Sequence, residues 1–126
     1  MTIDQQIDET HRTVLLTLTG TLSDDGLAGL TELIENTPKV SKDYSLLIDL
    51  RFADGRNITT QGVQKLAATP LVLSPDAKRA VVVPSVLGYF MARLYQLLRG
   101  RGSTRVFMDY DEALRYVQDG AILHQA

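Results

Sequence analysis

The chain has 126 residues, 22% of them charged, a net charge of -2 and no cysteine. Lack of cysteine excludes disulfides, thiolate metal sites and thiol nucleophiles, and the near-neutral balance gives no electrostatic attraction to nucleic acid. No apolar run approaches the ~20 residues of a membrane helix, and Met1 to Gln6 lacks the basic and apolar regions of a signal peptide. One cytoplasmic domain over residues 1–126 is therefore expected, able to bury roughly two thirds of its unfolded surface.

Ile3 to Ile7 reads as a short first strand, His11-Arg12 as a turn and Thr13 to Thr19 as a second strand, the two forming an antiparallel hairpin. Val14, Leu16 and Leu18 alternate with Thr13, Leu15, Thr17 and Thr19, a period of two rich in β-branched residues. Ser23 is a good N-cap, with Asp24 and Asp25 where the helix dipole favours anions. Leu27, Leu30, Leu33 and Ile34 then give one apolar helical face, and Thr37-Pro38 stops it.

Tyr44 to Leu50 is the central strand, with Tyr44, Leu46, Ile48 and Leu50 on one face and Ser45, Leu47 and Asp49 on the other. Ala53-Asp54-Gly55-Arg56-Asn57 reads as the turn that follows. A helix starting near Thr59 or Thr60 buries Val63, Leu66 and Ala67 and ends at Pro70. Leu71 to Leu73 is an apolar connector and Ser74-Pro75-Asp76 a turn. Ala80 to Val83 is a strand covered on both faces, closed by Pro84-Ser85.

A helix over residues 86–99 presents a wide stripe of Val86, Phe90, Leu94 and Leu97, with Gly100 and Gly102 beyond its end. Thr104 to Met108 is the last strand. Asp109 with Glu112 opens a final helix through Gln118, with Leu114 and Val117 inward and Gly120 at its end. Ile122 and Leu123 fold back on the core, and His124 to Ala126 frays. Strand and helix alternation of this kind argues for a mainly parallel sheet with right-handed crossovers.

Two stretches carry a family resemblance. LLIDLRFADGRNITTQGV resembles the STAS signature of a strand ending in Asp, a turn, and a helix opening with hydroxyl residues and glycine. AKRAVVVP, LGYFMARLYQLL and RVFMDYDEALRYV, in that order, resemble the C-terminal half of SpoIIAA-like proteins. The resemblance covers roughly residues 12 to 118. It implies an α/β fold of the SpoIIAA-like (STAS) type, a β-α superhelix with a mixed, mostly parallel sheet, an antiparallel N-terminal strand and about four helices. In the anti-sigma-factor antagonists of that superfamily a phosphorylated serine precedes the helix-start glycine. The matching residue here is Gln61, before Gly62, and glutamine takes no phosphate.

The candidate partner-binding or ligand-binding residues follow from this layout: Asp49, Asp54, Arg56, Thr59, Thr60, Gln61, Gly62, Ser85 and Tyr89. A strand end facing a helix N-terminus is a common functional location in α/β domains. Free N–H groups and the hydroxyls of Thr59 and Thr60 suit an anion or a partner carboxylate, and both threonines are candidate phosphoacceptors. The alternative at Thr59 and Thr60 is simple N-capping. Asp49 either orients a ligand or accepts backbone N–H groups of the turn below it. Ser85 sits at a strand-helix junction without a nucleophile elbow, so N-capping is its main role. Arg99, Arg101 and Arg105 suit an acidic partner, or are ordinary cations near a helix C-terminus. Tyr89 either lines a pocket or packs at the core edge.

No acid-base pair or metal-ligand cluster stands at usable spacing, so no catalysis, cofactor or metal is expected. The first functional reading is a STAS-like interaction module with a protein partner, recognised around residues 54–63. The second is a carrier of a hydrophobic small molecule or lipid, held between the 86–99 helix and the sheet. If all helices share one sheet face, the opposite face, with Leu15 and Leu47, or its edge, is a protein contact surface, including a homodimer interface.

Overall fold

The computed structural model of the chain describes residues 1–37, 40–55, 57–68, 77–84, 88, 91 and 104–125. Side chains at 27, 28, 31, 34, 35, 66–68 and 119–125 fall outside that description. Of the expected helix over 86–99 only Gly88 and Met91 are described, both helical; its other residues, the connector and turn at 71–76, Gly100 and Gly102 lie outside the described residues. So do the inward roles of Leu27, Ile34, Leu66, Ala67, Ile122 and Leu123.

The described elements are β1 (Thr2–Asp8), β2 (Thr13–Thr21), α1 (Asp24–Glu35), β3 (Ser45–Asp54), α2 (Thr60–Ala68), β4 (Arg79–Val82), β5 (Thr104–Phe107) and α3 (Tyr110–Gln125). The five strands form one sheet in chain order, β1-β2-β3-β4-β5. β1 is antiparallel to β2, and every other neighbouring pair is parallel. Among the described residues no helix is long and apolar enough to cross a membrane.

Period two assigns the core. Val14, Leu16 and Leu18 of β2 and Leu46 of β3 are buried with Leu22 and Leu30, and half-buried Leu33 and Ile58 pack against them. α1 therefore closes this face, with α2 beside it. Its start is set by Ser23, whose hydroxyl accepts the Gly26 N–H at 3.0 Å.

The opposite face is not open, contrary to the one-sided arrangement expected from sequence. Leu47, Ala80 and Val82 are buried there with Ala113 and Val117 of α3, and half-buried Leu15 and Leu114 join them. Leu47 has no exposed surface. The described crossover helices, α1 and α2, lie side by side, but α3 follows the last strand and is free to cross to the other face. A row of apolar side chains on that face is what draws it there. Its turn-in is short: Asp109 accepts the Asp111 N–H at 2.8 Å and caps the helix. The homodimer reading of this face therefore falls, because the chain covers it itself.

Two boundaries also move. β3 runs to Asp54, so Ala53 and Asp54 belong to the strand rather than to the turn. The register with β2 shifts between Thr17 and Thr19, after which Phe52, Ala53 and Asp54 pair with Thr19, Gly20 and Thr21. Two residues of β3, Leu50 and Arg51, thus oppose the single Leu18, as in a β-bulge. Leu22 extends the pairing by donating its N–H to the Asp54 carbonyl at 2.8 Å. At the other end of the chain, α3 passes through Gly120 to Gln125 instead of stopping there. A helical glycine costs about 1 kcal/mol but does not by itself end a helix.

Candidate functional site

The end of β3 delivers the chain through Gly55 to the start of α2, where Ile58 donates its N–H to the Gly55 carbonyl at 3.1 Å. Thr59 is the N-cap. Its Oγ1 accepts the Gly62 N–H at 2.9 Å, while its carbonyl accepts the Val63 N–H at 3.1 Å. A capping box would use a side chain at the third helical position to reach back to the cap N–H. That position is Gly62, which has none.

Asp24, the first residue of α1, supplies the missing carboxylate from another helix. Its Oδ1 accepts the Thr59 N–H at 3.1 Å, and its Oδ2 accepts the Thr59 hydroxyl at 2.7 Å. The carboxylate lies so close that a Cβ on Gly62 would stand 2.1 Å from Oδ1. Glycine is needed here for space. The anion attracted to this helix start is thus part of the chain, and Thr59, Thr60 and Gln61 remain exposed around it.

Asp49 lies on the α3 face of β3 and is only 2% exposed. It does not reach the turn. Its Oδ1 accepts the Arg51 backbone N–H and the Arg51 Nε–H, both at 3.0 Å, and its Oδ2 accepts from Arg51 Nη2 at 2.9 Å. This paired fork is the strong geometry for a guanidinium and a carboxylate. The hydrogen bonds to Asp49 hold the Arg51 guanidinium above its ordinary pKa, against partial desolvation. The Arg51 Cζ lies 5.0 Å from the Phe52 ring centre and 4.7 Å from that of Tyr110. Burial, and then the Asp49 charge, raise the Tyr110 phenol. Phe52 itself is 60% exposed.

Of the other candidates, Asp54 is half-buried and contributes its carbonyl to the β2 edge. Arg56, Ser85, Tyr89, Arg99 and Arg101 lie outside the described residues. Arg105 is exposed on β5, with its guanidinium 4.8 Å from the Tyr116 ring centre. Sequence reasoning left out Asp24, Arg51, Phe52 and Tyr110. Arg51 was findable, since residues two apart on a strand share a face and Asp49 precedes it by two. Asp24 was not, because its contact with Thr59 spans 35 residues.

The opposite end of the sheet carries an open cleft of about 580 Å³ lined by Gln6, Ile7, Asp8, Glu9, Thr10 and Leu15. Two carboxylates and two other polar side chains, against two apolar ones, make poor lining for a lipid tail. Among the described residues no group of three or more His, Asp or Glu side chains is arranged to hold a metal ion.

No family model and no curated protein matches the chain. Among solved structures it is similar to an uncharacterized protein of the DUF3478 family with a SpoIIAA-like fold from Shewanella loihica PV-4. The TM-score is 0.60, with 17% identity over 92% of each chain. At this identity the likeness establishes the fold. The chain has a SpoIIAA-like α/β fold, as its resemblance to the STAS signature implies.

Proposed function

We propose that this chain is a non-enzymatic STAS-like interaction module that recognises a protein partner through the strand-turn-helix segment around residues 54–63. The Thr59–Gln61 turn carries the proposal: it is exposed, yet fixed in place by Asp24 and by the close approach at Gly62. A surface already ordered before contact avoids the entropy cost of ordering on binding. Thr60, exposed at the first helical position, is better placed for modification than Thr59, whose hydroxyl is engaged by Asp24 and Gly62. The fold likeness is consistent with such a module.

Affinity capture with the intact chain, alongside Thr60→Glu and Gln61→Arg, tests the reading. Both substitutions leave the Thr59 cap in place, and matching thermal melts check that they fold. Proteins retained by the unmodified chain and lost by both variants are the expected result. The same set captured by all three would remove the helix start as the recognition point.

A further inference from the structure

We infer that the outer edge of β1 pairs with β1 of a second copy of this chain, antiparallel about a twofold axis through Gln5. Among the described residues β1 ends the sheet, and its ladder with β2 is unbroken from Thr2 to Asp8. Edge strands are blunted by proline, charged side chains (lysine above all), a bulge or very short length. β1 has seven residues, TIDQQID, with no proline, lysine or bulge; its charges are Asp4 and Asp8, and these restrict the register of a pairing instead. The other edge, β5, has four residues and carries Arg105.

The occupant follows from charge and register. A side chain must keep its face, so only registers that differ by two residues are open to a symmetric pair. Centred on Gln5, Ile3 meets the partner's Ile7, Asp4 meets the partner's Gln6, and Thr2 meets the partner's Asp8. The isoleucines of both copies lie on the face where Ile3 and Ile7 already pack against the β2 core, so that apolar face runs on across the axis. Centring on Asp4 sets Asp4 against its own copy. Centring on Gln6 sets Asp4 against the partner's Asp8. Like charges directly opposite each other disfavour both. Of the registers that pair more than three residues of the strand, the Gln5 register alone opposes no carboxylate to another, and it pairs all seven residues of TIDQQID. The pairing uses no part of the α2 surface, so loss of the dimer leaves partner capture intact, and the reverse.

Sedimentation equilibrium of the full chain reads the result, with a dimer at twice the 13.9 kDa chain mass expected. Gln5→Asp and Gln5→Lys each place like charges at the axis and weaken the dimer by about fivefold. An equimolar mixture of the two recovers it. Because the chain has no cysteine, Gln5→Cys gives one thiol facing its own copy, and mild oxidation should link the dimer. Asp4→Cys, which faces Gln6, should link far less. A wild-type chain that sediments only as monomer overturns the inference, and so does a dimer indifferent to both charge substitutions. A monomer would leave the edge to an extended peptide of another protein.

Discussion

Gly62 sets two opposing effects against each other. In most exposed helical positions, replacing glycine by alanine stabilises by up to about 1 kcal/mol through backbone entropy. Here the new Cβ would stand 2.2 Å from the Asp24 Cγ, so the carboxylate must leave. Its two hydrogen bonds to Thr59 go with it. Hydrogen bonds to a charged acceptor contribute roughly 1.5–3 kcal/mol net, less where water can replace them, as here. Gly62→Ala should therefore destabilise by about 1 kcal/mol in urea unfolding. In an Asp24→Ala background the clash is gone, and the same substitution should become neutral or stabilising. The same sign in both backgrounds would mean that Asp24 does not set the residue at 62. Nothing local to Thr59-Thr60-Gln61-Gly62 reveals this. The hydroxyl cap was legible in four consecutive residues, whereas its second acceptor comes from a helix that folding brings alongside.

Element by element, what the sequence disclosed depended on how far each interaction reached. The alternation in β2 and the first half of β3 placed Val14, Leu16, Leu18 and Leu46 on one face and Leu15 and Leu47 on the other, and the strands keep those faces. The bulge at Leu50 and Arg51 broke the alternation. It puts Leu50 and Ala53, three apart, against the same core, which a strict period of two forbids. No turn residue marks the bulge, so β3 read as ending at Leu50. The destination of α3 was likewise hidden, because its Leu114 and Val117 stripe is satisfied by an apolar sheet on either side. Leu47 tests the observed packing. A fully buried leucine cut to alanine loses its transfer energy and leaves a cavity, together about 3 kcal/mol. Leu47→Ala should cost that much in denaturant unfolding. A change near that of a surface site would show that α3 does not seal this face.

Taken whole, the molecule separates its two ends. At the C-terminal ends of the parallel strands lie the exposed α2 turn and the Asp49-Arg51 pair. At the other end a clasp closes the hairpin. The His11 N–H and Nδ1 meet the Asp8 carboxylate at 3.1 and 2.8 Å, and Gln118 of α3 donates to the same carboxylate at 3.2 Å. Arg12, with φ 51, reaches Asp43 and Ser41, and its guanidinium lies 5.4 Å from the Tyr44 ring centre. Sequence placed this turn but not the clasp, since Gln118 and Asp8 are 110 residues apart. Partial burial acts to raise the Asp8 pKa, but the hydrogen bonds and charge of His11 together outweigh it and hold the group below its ordinary value. A depressed native pKa means that the unfolded chain takes up the proton first as pH falls. The stabilisation is thus complete above the ordinary aspartate value and fades as pH drops through the lower native one. Asp8→Asn removes that linkage. Its melting temperature should start lower at neutral pH and fall less steeply on acidification, so that the two profiles converge in acid. Partner capture, which belongs to the other end, should not change with it. Parallel profiles across the acid range would mean that Asp8 carries no native-state proton linkage.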